Sequence, residues 1–207
     1  MPAPWNVNIH YDGTLDALVP STARSVLDVG CGDGFLAARL ARRVSHVVAL
    51  DLDQPVLDRA QARFPDVPVT WLHGDVLADV VTPGSFDAVV SNATLHHLPD
   101  TRTGLRRLST LVRPGGVLAI VTFARTDWRE LPWASAAFIA RGAANRARGK
   151  WEHSAPTVWP PVDTFRQLRA VAETELPGAR VSRLVLGRVL IHWLPPTSAG
   201  SDIGTPR

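Results

Sequence analysis

The feature that most constrains the fold is the stretch Val26-Leu-Asp-Val-Gly-Cys-Gly-Asp-Gly-Phe35. An apolar run ends in an acid, glycines follow at positions 30, 32 and 34, and an amphipathic stretch begins. That order describes a buried strand turning tightly into a helix. Gly30 supplies the positive φ such a turn demands. Gly32 lets backbone approach a ligand, and Gly34 lets the helix start close against a sheet. Unsatisfied N–H groups at the helix start favour an anionic group on whatever binds there. Val47-Val-Ala-Leu50 then reads as a second buried strand ending at Asp51. An acid about twenty residues past the glycines reaches the two hydroxyls of a ribose. An adenosine-bearing cofactor is the expected ligand.

The dinucleotide fingerprint needs a glycine where this chain has Phe35. The pattern here is G-x-G-x-G behind Leu27-Asp28, and it resembles the first motif of the class I S-adenosylmethionine-dependent methyltransferases. The resemblance implies S-adenosylmethionine as cofactor and S-adenosylhomocysteine as product. It also implies an α/β fold: a Rossmann-like, mostly parallel seven-stranded sheet with helices on both faces and a C-terminal antiparallel hairpin. It places Asp28, Gly30, Cys31 and Gly32 in the cofactor loop, with Asp51 and Leu52 beside the ribose. In His73-Gly-Asp-Val76 it implies that Asp75 accepts from the exocyclic amine of adenine while the Val76 N–H meets a ring nitrogen. Ser85-Phe-Asp-Ala-Val-Val-Ser-Asn92, running on to Leu95-His-His-Leu98, resembles the family's fourth motif. Asn92 would then lie beside the sulfonium, mostly through its backbone. Leu111-Val-Arg-Pro-Gly-Gly116 matches the approach to the fifth strand, where the glycines turn the chain and bind nothing.

The rest of the chain follows a strand–helix alternation. Strands are expected at Ser25–Val29, His46–Leu50, Val69–Leu72, Ser85–Val90 and Val117–Phe123. Helices are expected at Phe35–Arg43, Pro55–Phe64, Arg102–Val112 and Asp163–Glu175, which together imply a parallel sheet covered on both faces. Arg180–Leu186 and Arg188–Leu194 hinge at Gly187 and are too close in sequence for a parallel crossover. Residues 1–195 read as one domain and 196–207 as a frayed Pro/Ser/Gly-rich tail. Residues 1–20 contain a short helix that either covers the cofactor and lines a pocket with Tyr11, or caps the sheet edge. Residues 126–162 are a tryptophan-rich insertion with a helix-like stretch at 138–148. Beside a cofactor cleft it is the expected substrate wall, with Trp133, Phe138, Trp151 and His153 as candidates.

Composition narrows the partners. No apolar run approaches the length that spans a bilayer, and the N-terminus lacks a secretory pattern, so a cytoplasmic protein without a membrane partner is expected. One cysteine excludes an internal disulfide, and neither a Cys pair nor an H-x-x-x-H supports a metal, so none is expected. The pI of 9.9 stands beside a net charge of only +3, because Lys150 is the single lysine and arginine does not deprotonate in the accessible range. Arginines spread over solvated helix faces are the simpler reading, and no nucleic-acid partner is expected. The oligomeric state stays open.

His96 and His97 are the candidates for chemistry. An imidazole on a loop at the carboxyl edge of the sheet can take a proton from a nucleophile near neutral pH, and His96 is nearer the strand end. The alternative is that both hold the loop by hydrogen bonds. Cys31 at a helix start is either a reactive thiol or loop packing, the latter preferred. The leading expectation is methyl transfer to a small-molecule acceptor by in-line attack. A nucleic-acid methyltransferase on the same fold is opposed by Ser91-Asn-Ala-Thr94, which lacks the Asn/Asp-Pro-Pro-Tyr/Phe loop. A nicotinamide oxidoreductase is opposed by Phe35 and the terminal hairpin, and a non-catalytic cofactor-binding regulator remains.

Overall fold

The computed structural model of the chain describes residues 4–149, 151 and 160–196. Its helices are α1 (Val7–Leu18), α2 (Phe35–Leu40), α3 (Gln54–Arg63), α4 (Thr101–Leu111), α5 (Leu131–Arg148) and α6 (Phe165–Glu175). Its strands are β1 (Ser25–Val29), β2 (His46–Asp51), β3 (Val69–His73), β4 (Phe86–Asn92), β5 (Val112–Thr122), β6 (Arg180–Leu184) and β7 (Arg188–Trp193). The seven strands form one sheet in the order β3-β2-β1-β4-β5-β7-β6. The first five are parallel, and β7 runs antiparallel to both β5 and β6. The hairpin closes the sheet by inserting its second strand beside β5.

The strands read as continuous apolar runs because both faces are covered. Successive side chains point to opposite faces, so Leu27, Val48, Leu50, Val89, Leu118 and Ile120 enter one core with Leu105 and Leu108 of α4 and Leu168 of α6. Val26, Val47, Ala49, Val90, Ala119 and Val121 enter the other with Val7, Tyr11 and Leu15 of α1 and Leu36 and Leu40 of α2. Each fully buried leucine contributes about 2 kcal/mol. Outside the apolar layer, Glu175 of α6 is clasped by both Arg102 and Arg106 of α4.

Several boundaries differ from the sequence expectation. Helix α2 stops at Leu40 because the chain turns there, and Arg43 reaches back to α1, its Nη2 donating to the Val19 carbonyl at 3.0 Å. Strand β5 begins at Val112 rather than after Gly116. Val112 pairs with Phe86, and the register slips before Ala88 meets Val117, which gathers Arg113–Gly116 into a bulge. Helix α5 begins at Leu131, seven residues earlier than the periodicity suggested, with Pro132 in its first turn. The hairpin strands are shorter than expected, with the turn at 185–187. No helix among the described residues is long and apolar enough to cross a membrane.

Candidate active site

The carboxyl ends of β1, β2 and β4 open into a cavity of ≈ 630 Å³. Its floor is the glycine loop. The Gly30 and Cys31 N–H groups both donate to the Leu50 carbonyl, at 2.8 and 3.1 Å, which binds the loop to the end of β2. Gly30 has φ +68, and a Cβ there would fall 2.0 Å from Thr94 Oγ1, so the residue has to be glycine. Gly34 has φ +80 and sits against the Trp71 ring and Ala60, a packing that a Cβ would close. Asp51 stands at the end of β2 with its carboxylate held by two backbone donors, Gly32 N–H at 2.8 Å and Asp53 N–H at 3.0 Å. Leu52 beside it is 68% exposed into the same space, and Asp75 and Val76 line the wall beyond β3. Asp75 accepts from the Leu77 N–H at 2.9 Å.

The opposite wall comes from α1 and the end of β4. Asn92 donates through Nδ2 to the Asn8 carbonyl at 2.8 Å and to Asp12 Oδ1 at 2.9 Å, while its Oδ1 is buried with no donor. Ala93 follows with φ +60, a strained conformation for a residue with a Cβ. Asp28 lies beneath, 1% exposed, with Oδ2 lacking any partner. Burial, then the nearby Asp12 and Asp51 carboxylates, hold the Asp28 carboxyl well above the ordinary range. Burial also moves Asp12 up to about 7, against the pull of the Asn92 hydrogen bond and Arg39.

His96 and His97 follow on a single 3-10 turn with ring centroids 4.1 Å apart, and both line the cavity. The His96 ring packs edge-on against Phe123 at 4.6 Å, and its Nδ1 is buried without a partner. Burial, then His97 and Arg188, lower its pKa to about 4, so the imidazole is neutral at ordinary pH. Cys31 is loop packing: burial and the Asp28 and Asp51 carboxylates push its thiol up, the reverse of an activated thiolate.

Three of the expected substrate residues do not line the cavity. Tyr11 is 4% exposed and does not line the cavity; its hydroxyl accepts from the Leu186 N–H at 3.0 Å and ties α1 to the hairpin. Trp133 sits on the inner side of α5 beneath the Arg183 guanidinium, also away from the cavity. Phe138 points outward from α5 and is 66% exposed. Trp151 does line the cavity, edge-on to Phe35 at 5.4 Å, which puts it at the glycine-loop end. His153 and the tail beyond residue 196 lie outside the described residues.

Residues 27–120 match the model of a methyltransferase domain family. An uncharacterised methyltransferase of Mycobacterium tuberculosis is 56% identical over 196 residues, which span 95% of this chain and 100% of the relative. The chain belongs to the class I S-adenosylmethionine-dependent methyltransferases. A ubiquinone biosynthesis O-methyltransferase of Paracidovorax citrulli is 37% identical over 118 residues, covering 55% of this chain and 49% of that protein. A methyltransferase structure from Aquifex aeolicus shares the fold with a TM-score of 0.60 at 18% identity, covering 90% and 88% of the two chains.

Membership implies S-adenosylmethionine, whose methionine end carries an ammonium group, and the methyltransferase cavity fits it. Two buried acceptors without donors, Asp28 Oδ2 and Asn92 Oδ1, belong to residues that line one cavity with Asp12 and Asp51, an arrangement suited to a cation that also donates hydrogen bonds. Leu52 offers an apolar face next to Asp51. The sequence reading missed Asn8, Asp12, Thr94, Phe123 and Arg188. Asp12 and Asn8 share one helical face at i, i+4 spacing. Arg188 was visible as a charge opening the apolar run Val189-Leu-Ile191.

Proposed function

We propose that the protein transfers the methyl group of S-adenosylmethionine to a small-molecule acceptor, with Asp28, Asn92 and Asp12 on the amine of the cofactor and Asp51 on its ribose. The observation that carries the reading is the donor-less pair Asp28 Oδ2 and Asn92 Oδ1 on the cavity wall. When bound, S-adenosylmethionine supplies a methyl on a positively charged sulfur; an acceptor atom takes it in line while the sulfur keeps the electrons of the broken C–S bond. The chain's own contribution is alignment and exclusion of water. The Gly32 and Asp53 N–H groups fix the Asp51 carboxylate so that it is preorganised for a diol. Asp75 and Val76 read the adenine edge, and Leu52 packs on its face. Gly30, Cys31 and Gly32 form the floor below the cofactor.

His96 is the proposed base, because its imidazole lines the cavity and is neutral, so that one ring nitrogen carries a lone pair. His97 borders the same opening. A small acceptor is supported by the way α1 roofs the cavity and by the small-molecule reaction in the name of the partial relative. Calorimetric titration with S-adenosylmethionine and, separately, NADH tests the reading. Micromolar binding of the first and none of the second is expected. Asp51→Ala should lower that affinity tenfold or more with little loss of folding; unchanged affinity removes Asp51 from the ribose, and absence of binding by the parent protein removes the function.

A further inference from the structure

A buried cation behind the cavity wall has no part in the methyl-transfer reading. Arg188 opens β7, next to the pair Thr122–Val189, and is 6% exposed. Phe123 and Asn8 line the cavity, and Arg188 stands behind them. Its Nη2 donates to Asn8 Oδ1 at 3.1 Å and its Nη1 to the Gly187 carbonyl at 3.5 Å, while Nε has no partner among the described residues. Among those residues it forms no ion pair. Burial, then Arg141 of α5, bring its pKa down to about 9 against the pull of Tyr11, so it keeps its charge wherever an imidazole titrates.

Burying a guanidinium on neutral partners alone is unfavourable, and its field is weakly screened where no water intervenes. In front of it stands a column of rings. The guanidinium lies 3.8 Å over the Phe123 ring, which meets the His96 ring edge-on at 4.6 Å, and His96 rests on His97 at 4.1 Å. The path from the cation to the imidazole therefore runs through one apolar ring rather than through water. The other charged groups on the elements around this turn are engaged elsewhere. On α4, Asp100 caps the Thr103 N–H, Arg102 and Arg106 clasp Glu175, and Arg107 donates to the Val76 and Ala78 carbonyls. On α1, Asp12 is hydrogen-bonded to Asn92. Burial, then His97 on the same turn and Arg188 across Phe123, bring His96 down to about 4. A neutral imidazole keeps a lone pair on one ring nitrogen, whereas an imidazolium offers only donors and adds positive charge to a cavity read as holding a cationic cofactor.

We propose that Arg188 is a positioning residue for the base: through the Phe123 ring it holds the His96 imidazole in place and uncharged, with its lone pair available to the acceptor. The importance of His96 rests on the methyl-transfer reading; its charge state is measured without cofactor. The test follows the imidazole nitrogens of the 15N-histidine-labelled, ligand-free protein by NMR from pH 4.5 to 8, with the His96 signal assigned by its loss in His96→Gln. In the parent the signal should stay flat above about pH 5.5. In Arg188→Gln the midpoint should rise by about one pH unit, the scale of a unit charge withdrawn from behind one ring. Arg188→Lys keeps the charge and should hold the midpoint within about 0.3 unit of the parent.

A parent midpoint at the ordinary 6.5 overturns the proposal, as does an unchanged midpoint in Arg188→Gln. An equal rise in Arg188→Lys assigns the effect to packing rather than charge and overturns it too. If Arg188→Gln does not fold, Phe123→Leu supplies the second variant: it leaves the cation but opens the path to water, so the midpoint should rise there as well, and an unchanged one overturns the proposal. Calorimetry with S-adenosylhomocysteine runs beside the titration. If the parent does not bind it, the methyl-transfer reading fails while the His96 titration still decides what Arg188 does.

Discussion

Asp12→Asn is expected to stabilise the fold and weaken the cofactor site, both in a pH-dependent way. Asp12 is 6% exposed, and its Oδ1 accepts from Asn92 Nδ2 at 2.9 Å. Asparagine has the same shape, offers an oxygen for the same hydrogen bond and does not titrate. The carboxyl of Asp12 moves from its ordinary 3.8 to about 7 on folding, chiefly through burial. Below about pH 4 it is protonated in both the folded and unfolded chains, so it contributes no difference. Between pH 4 and 7 the unfolded chain releases the proton while the folded chain keeps it, and stability falls as pH rises. Above pH 7 the loss is complete, at about 4 kcal/mol, an upper figure because water drawn to the carboxylate relieves part of it. The variant should recover that amount at pH 8 and nothing at pH 4, which for a chain of this size is up to about 10 °C in Tm. Binding should move the other way. At pH 8 the variant has lost an ionised partner for the amine and should bind S-adenosylhomocysteine about tenfold or more weakly. At pH 5.5, where the parent carboxyl is already neutral, the gap should shrink. Thermal denaturation and calorimetry at the two pH values decide it. A variant less stable than the parent at pH 8, or a gain of equal size at both pH values, would refute the burial argument.

His96→Ala should lower turnover while leaving S-adenosylhomocysteine affinity within about twofold; equal turnover returns His96 to holding the loop. Because its folded pKa is lowered to about 4, His96 stays neutral as pH falls, and an acid limb of the rate near pH 7 should belong to Asp12 and vanish in Asp12→Asn. Tyr11→Phe strands the buried Leu186 N–H and should cost about 1–2 kcal/mol in denaturant unfolding with cofactor affinity unchanged. A clear fall in affinity would put Tyr11 back at the ligand.

The cofactor half was legible because its constraints are local in sequence. Gly30 and Gly34 are required by turn geometry and by neighbours that leave no room for a Cβ, and Asp51 follows them at a distance set by one helix and one strand. Strand and helix types were readable from periodicity, and the misplaced boundaries fall where tertiary contacts decide: Arg43 folded back on α1, and Val112 drawn into the ladder by Phe86. The acceptor half was not legible, since its members meet only across the fold. Asn8 and Arg188 are 180 positions apart, and the choice between pocket and sheet edge for the helix of Tyr11 turns on a hydroxyl committed to Leu186, 175 positions away. Aromatic residue type was a poor guide. Of Trp133, Phe138 and Trp151, only the last reaches the cavity.

The buried charges of the cavity bear on how transfer can work. Asp12, Asp28 and Asp51 all line this cavity; burial raises both Asp12 and Asp28, and the Asp12 and Asp51 carboxylates raise Asp28 further. A cationic amine arriving there relieves that repulsion, so binding and ionisation reinforce one another. Ala93, whose φ of +60 costs of order 1–3 kcal/mol, and the neutral His96 border the same cavity. That strain has a visible structural correlate: on one side of Ala93 the Asn92 amide is turned onto α1, and on the other the Thr94 hydroxyl lies 3.3 Å from the Gly30 carbonyl. Relaxing the backbone there would release both contacts at once. The strained residue thus couples the roof helix to the glycine loop.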